Sequence, residues 1–515
     1  MMNPQNKSIG MPLLKKIPEP QLSEETLNRI PRSYLKRFLL FPFFEDDSGV
    51  RVAISDPANM APLYDLGKLL LKHVEPYTAT EEEINRSINL YFGSATDTAE
   101  RVIDDLSGEE FENIAEELEE VQDLLDAETE APIIKLINLI LYQAVESRAS
   151  DIHLEPYEKD MLVRYRIDGV LYERLQPPKK FQSALISRIK IMANLNIAEK
   201  RLPQDGRIKI KIANKEVDIR VSIIPTAFGE RVVLRLLDKN ATIFDLEDIG
   251  LVDRNYKLFS RMIRKSHGII LVSGPTGSGK STSLYAALNK INSPDKNILT
   301  IEDPIEYQIK GIGQIQANPK IDLTFARGLR SILRQDPDVI MIGEIRDLET
   351  AEIAIQASLT GHLVFSTLHT NDAAGAITRL TDMGIEPFLV SSSILGIMAQ
   401  RLVRVICPIC KVSYKPTRAE LEELGLDPDR VKNPVFSHGK GCDQCLETGY
   451  HGRTGIYELM VANDNINKLI MQNADSNRIK EKSVQNGMRT LREDGAYKVL
   501  QGITTIEEVL RVTQE

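Results

Sequence analysis

Gly274-Pro275-Thr276-Gly277-Ser278-Gly279-Lys280-Ser281 narrows the folds open to this chain more than any other stretch of its 515 residues. It follows the apolar run Ile269–Ser273 and precedes a helical pattern from Thr282, so it reads as the loop between a buried strand and a helix. Glycines there let successive backbone N–H groups converge on phosphates at a helix N-terminus. Lys280 neutralises charge on the β- and γ-phosphates, and the Ser281 hydroxyl reaches Mg²⁺. The ATP-binding stretch is expected to run from Gly274 through Thr282.

A fully apolar strand of this kind needs parallel neighbours and helices on both faces. From about Arg254 to Gln400 the pattern supplies them, with strands expected at Ile269–Ser273, Ile298–Ile301, Val339–Ile342 and Leu363–Thr367. Val339–Ile342 is followed by Gly343-Glu344. Glycine stands where an aspartate usually helps to hold the metal, but Glu344 retains a carboxylate to orient or deprotonate an attacking water. Metal support then has to come from elsewhere. Glu302 is the first choice, in Leu299-Thr300-Ile301-Glu302-Asp303-Pro304-Ile305-Glu306 at the carboxyl end of a parallel strand, where such sheets bind ligands. Taken alone, that cluster reads equally well as a solvated loop.

His369 ends the strand that His362 begins, and is expected to contact the γ-phosphate region; His362 fits a subunit contact instead. After Thr324, Arg327, Arg330 and Arg334 recur at helical spacing on one face. They suit an anion or, equally, water. Arg207 and Arg220 pose the same question in an earlier hairpin: strand alternation alone leaves them on a solvated polar face, but arginine is also the residue that completes a phosphate site.

Composition removes other classes. A formal net charge of −10 gives no field favouring DNA or RNA, so no nucleic-acid partner is expected. The apolar stretches are too short or too interrupted to span a bilayer. Met1–Gly10 lacks the layout of a secretory signal, so a cytoplasmic place is expected, with membrane contact only through partners. All four cysteines fall in two C-x-x-C pairs, Cys407/Cys410 and Cys442/Cys445, which favours a closed structural Zn²⁺ site.

The chain divides by pattern into residues 1–107, a small mixed domain, and 108–130, an acidic segment with Ile114, Leu118, Val121 and Leu125 at helical spacing. Residues 131–240 read as an α+β domain: a helix opens at Pro132 and runs through Ser147, and two hairpins follow. The first turns at Asp168-Gly169. In the second, Ile208, Ile210, Ile212, Val217, Ile219 and Val221 alternate inward. An α/β core at 241–400, a tetracysteine subdomain at 401–455 and a helical region at 456–515 complete the chain, Thr505 and Glu508 forming a capping box for the last helix.

Taken together and in order, Ala149–Pro156, Arg166–Val170, Arg201–Arg207, the phosphate loop, Glu302–Glu306, Gly343-Glu344, His362–Asp372 and the paired cysteines resemble the secretion ATPase superfamily of type II secretion and type IV pilus systems. The resemblance implies a ring subunit, usually hexameric, with a RecA-like P-loop NTPase lobe and a preceding PAS-like domain that closes over the nucleotide. It implies that Arg207 and Arg220 reach the phosphates and that the zinc insertion marks the secretion or extension branch. The N-terminal region would dock on the cytoplasmic domain of an inner-membrane secretion protein, and turnover would turn an inner-membrane platform protein. Ala227–Asp238 looks closest to the type II secretion branch, with pilus assembly as the alternative. Without the resemblance, a slow nucleotide-switched binding module remains open.

Overall fold

The computed structural model describes most of residues 12–87 and, apart from 213–214, 239–243, 430 and 432–433, residues 127–514. The acidic helix expected at 108–130 therefore lies largely outside the described residues. The chain forms two compact units, the first built from residues 1–143, 156–163 and 175–191 and the second from 144–155, 164–174 and 192–515.

In the first unit, β1 (Leu40–Asp46) pairs antiparallel with β2 (Gly49–Ile54), and β3 (Val74–Thr78) joins β2 in parallel. The helix Ala61–Leu70 turns Leu63, Leu66 and Leu70 into the same core as Phe41, Val50 and Val52. This is the mixed α and β character expected of the region. A later helix runs from Ala127 to Glu146, not from Pro132. The expectation relied on proline favouring a first turn; the helix instead carries Pro132 inside it and forgoes one backbone N–H.

A six-stranded sheet has the order β6-β5-β4-β9-β8-β7, with β4 Asp151–Pro156, β5 Met161–Ile167, β6 Val170–Leu175, β7 Gln204–Ile212, β8 Lys215–Thr226 and β9 Gly229–Asp238. Asp168 and Gly169 both have positive φ, 49° and 88°, as a type I′ turn between β5 and β6 requires. In the β7–β8 hairpin Arg207 lies opposite Arg220. Ile208, Val217, Ile219 and Val221 are buried, whereas Ile210 is half-buried and the Ile212 side chain is outside the description.

The second unit holds a seven-stranded sheet, β12-β11-β13-β14-β10-β15-β18. Its strands are β10 Gly268–Ser273, β11 Ile298–Glu302, β12 Gly313–Gln316, β13 Val339–Ile342, β14 Leu363–Leu368, β15 Ile394–Ile406 and β18 Tyr450–Val461. All neighbours are parallel except β15 and β18. Alternation feeds two apolar layers: Ile269, Leu271, Ile340, Ile342 and Val364 pack on one side, and Ile270, Val272, Met341 and Phe365 on the other. Burial on both faces is why β10 and β13 read as nearly unbroken apolar runs. The boundaries expected at 400/401 and 455/456 fall inside β15 and β18, so the tetracysteine segment, which holds the antiparallel pair β16 (Lys411–Tyr414) and β17 (Phe436–Gly439), is carried between two paired strands of this sheet.

Thr324 caps the helix Phe325–Ile332. Because that helix ends at Ile332, Arg334 lies beyond it and does not share the face of Arg327 and Arg330. Those two pair with Asp322 and Glu349. Helices Asp464–Met471, Ser476–Gln485, Leu491–Leu500 and Ile506–Thr513 form the helical end. Thr505 accepts the Glu508 N–H at 3.4 Å, but the Glu508 carboxylate, 1% exposed, turns to Arg404 at 2.7 Å and Arg511 at 2.8 Å. The capping box is thus half formed, since two guanidinium groups outcompete one backbone N–H. Among the described residues, no helix is long and apolar enough to cross a membrane.

Candidate active site

In register, Ser273 lies beside Leu368, and Ile342 beside Ser366. The carboxyl ends of β10, β13 and β14 are therefore level, and the residues that follow each meet at one edge. After β10, Gly277 and Gly279 adopt φ of 78° and 85°, conformations that side chains with a Cβ rarely hold. The second of them opens the helix Lys280–Ile291. Lys280 Nζ donates to the Gly274 and Pro275 carbonyls at 2.8 and 3.0 Å. Burial lowers its pKa; Glu344 nearby opposes the shift and Arg401 adds to it. Ser278 is buried, and its hydroxyl has no hydrogen-bond partner among the described residues. An unpaired buried donor inside a ring of backbone N–H groups fits a phosphate oxygen. Pro275, Thr276 and Ser281 are exposed, and Thr282 half-buried.

Glu344, reached from β13, is held between Arg346 and His369. Arg346 Nη2 lies 2.6 Å from Oε1, and His369 Nε2, one residue past β14, lies 3.5 Å from Oε2. The structure thus brings together Lys280, Glu344 and His369. It adds Arg346 and Arg401, which sequence reasoning missed. Arg346 had a usable signal two residues after Glu344; Arg401 had none, because β15 was not recognised as a neighbour of β10.

Glu302 ends β11, the strand paired with β13, and is 4% exposed; a Cβ on Gly343 would lie 3.4 Å from its Cα. Its carboxylate accepts from Thr300 Oγ1 at 2.5 Å, Gln314 Nε2 at 3.1 Å and the Tyr285 hydroxyl. These are three neutral donors in a buried network of its own. Burial, then the bond to Glu302, pushes the Tyr285 hydroxyl well above its ordinary pKa. Arg220 approaches Glu306 at 3.7 Å. Arg207 engages both oxygens of buried Asp218. His362 contacts the Ala357 carbonyl at 2.8 Å through Nδ1, a local structural role.

The four thiols converge. Cys407 and Cys442 Sγ are 3.9 Å apart, Cys410 and Cys445 3.9 Å, and Cys442 and Cys445 3.6 Å. All four lie within 4.8 Å of one another. Tetrahedral Zn–S bonds of about 2.3 Å put sulfurs about 3.8 Å apart, so the cluster is compatible with zinc. Backbone N–H groups of Cys442 and Gly449 donate to Cys445 Sγ, each at 3.3 Å.

Residues 126–511 match the type II/IV secretion system protein family. The chain belongs to that family. Its residues 9–98 additionally match the MshEN domain. This secretion-family chain is 50% identical over 495 residues to the type II secretion system ATPase E of Vibrio cholerae, covering 95% of this chain and 98% of that one. It is 45% identical over 507 residues to the type IV pilus assembly ATPase PilB of Myxococcus xanthus, covering 98% and 89%. The solved structure of the Legionella pneumophila ATPase DotB, at 22% identity and a TM-score of 0.54, covers 73% of this chain and 95% of its own. That likeness shows a shared fold.

Proposed function

We propose that this chain is the ATPase of a type II secretion system, hydrolysing ATP to assemble pilin-like subunits into the filament that drives protein export. One observation carries the hydrolytic part: Glu344 is aligned with His369 at 3.5 Å beside the lysine of a phosphate-binding loop. A pure nucleotide switch has no use for a carboxylate positioned to take a proton from water.

In this reading the backbone of Gly274–Thr282 cradles the phosphates, Lys280 neutralises them, Glu344 activates the water and His369 contacts the γ-phosphate. The Ser281 hydroxyl would hold Mg²⁺, which when bound neutralises charge on the β- and γ-oxygens. Glu302 would support the metal by giving up its neutral donors. Arg220, already facing Glu306 at 3.7 Å, and Arg207, on leaving Asp218, would reach the phosphates as the PAS-like domain, residues 131–240, closes over the RecA-like domain, residues 241–400. The subunit works as a homohexamer in the cytoplasm, peripheral to the inner membrane. It docks through residues 1–107 on the cytoplasmic domain of an inner-membrane secretion protein, with the acidic 108–130 as linker. It acts on an inner-membrane platform protein, without nucleic acid. Calorimetry of the full chain with that cytoplasmic domain is expected to give saturable binding, micromolar or tighter. Binding to a pilus platform component instead would favour pilus assembly, the reading that the Myxococcus relative supports.

Cys407, Cys410, Cys442 and Cys445 would hold one Zn²⁺ that cross-links the subdomain between β15 and β18. Metal analysis is expected to find about one zinc per chain, and Cys407→Ser to lower melting temperature or solubility before it lowers turnover. A metal-free, fully stable protein would remove the zinc assignment.

A further inference from the structure

Glu458 is a buried carboxylate that no step above uses. It lies on β18 opposite Ala399 of β15 and is 1% exposed. Its Oε1 accepts the N–H of Ala373 at 2.9 Å, the first residue of the helix Ala373–Asp382. Burial raises its pKa, and the backbone N–H groups of Ala373 and of Leu491, first residue of the helix Leu491–Leu500, oppose that shift. One acid therefore meets the positive ends of two helices.

The helix Ala373–Asp382 begins four residues after His369, and the segment between is pinned at each step. Thr370 Oγ1 donates to the Asp372 carbonyl at 3.0 Å, as does Ser273 Oγ, the last residue before the phosphate loop, at 3.4 Å. Arg401 Nη2 donates to the Asn371 carbonyl at 3.0 Å. Asp372 caps the helix through Gly375 N–H at 2.8 Å and pairs with Lys480 at 3.1 Å. At one end the segment meets Glu344 through His369; at the other it is anchored by Glu458.

We propose that Glu458 is a positioning residue for hydrolysis: by fixing where the helix Ala373–Asp382 starts, it sets His369 against Glu344 and ties that segment to the C-terminal helices. The proposal rests on the reading that Glu344 and His369 act in hydrolysis. Removing the acceptor leaves the Ala373 N–H buried and unpaired, and the segment shifts to find another partner. A displacement of about 1 Å in an acting group costs about 10²-fold in rate.

The test compares steady-state Mg-ATP hydrolysis and ADP affinity of the full chain with those of Glu458→Ala, Glu458→Asp and Glu458→Gln, with Glu344→Gln in parallel. Glu458→Ala is expected to lower kcat by about 10- to 100-fold with KM and ADP affinity unchanged. Glu458→Gln, which keeps an acceptor oxygen at the same reach, should recover most of the rate. Should the alanine variant fail to fold, Glu458→Asp decides: it keeps the carboxyl group but withdraws the oxygen by one methylene, and is expected to slow turnover without weakening ADP binding. Wild-type kcat in the aspartate variant, a glutamine variant as slow as the alanine one, or loss of ADP binding along with kcat would overturn the proposal. If Glu344→Gln itself hydrolysed ATP at the wild-type rate, the fault would lie with the hydrolytic reading and not with Glu458.

Discussion

Lys280→Ala is expected to abolish measurable ATP turnover while leaving the fold intact. Among the described residues the lysine side chain's hydrogen bonds run only to carbonyls of its own loop, at 2.8 and 3.0 Å, and it is partly desolvated there, so its removal relieves a buried charge and opens no core cavity. The loss falls on the transition state, in which the cation meets the charge on the transferring phosphoryl group. Removing one preorganised donor from such a site costs about 10²–10³-fold, and here a full charge goes with the donor. Circular dichroism and thermal melting should match wild type while phosphate release falls to background. Turnover persisting in this variant would place nucleotide chemistry elsewhere in the chain.

Much of this site was legible because its chemistry is local in sequence. The phosphate loop declares itself through glycines that need positive φ and a lysine at the helix start. The four apolar strands expected around it are β10, β11, β13 and β14, give or take a residue, because burial on both faces leaves few polar positions, among them the small hydroxyls of Thr300, Ser366 and Thr367, to blur them. The Asp168-Gly169 turn and the paired cysteines were legible for the same reason, a rigid local geometry with few residue types that satisfy it.

What stayed hidden depends on pairing across distance. β15 carries Gln400, Arg401 and Arg404, so its pattern does not look like a buried strand; its partner β18 pairs Val461 with Gly396 across the whole tetracysteine segment. Without that pairing neither Arg401 beside the phosphate loop nor Glu458 behind the His369 segment could be placed. Glu302 shows the limit from the other side. Its strand position was read correctly, yet the Tyr285 hydroxyl that holds it comes from the helix after the phosphate loop, a contact no spacing reveals.

Glu344→Gln separates hydrolysis from binding. The amide keeps the size of the side chain and an oxygen for Arg346, but it cannot take a proton from water, and it loses the charge that faces His369 at 3.5 Å. General-base catalysis of this kind is worth about 10²–10⁴-fold, whereas the phosphate loop that binds nucleotide is untouched. Phosphate release from saturating Mg-ATP, followed for the wild-type chain and Glu344→Gln under one set of conditions with ADP affinity measured alongside, decides the matter. A drop of about 10²–10⁴-fold at unchanged affinity is expected; equal rates would contradict the assignment of this chain as an ATPase that works through Glu344.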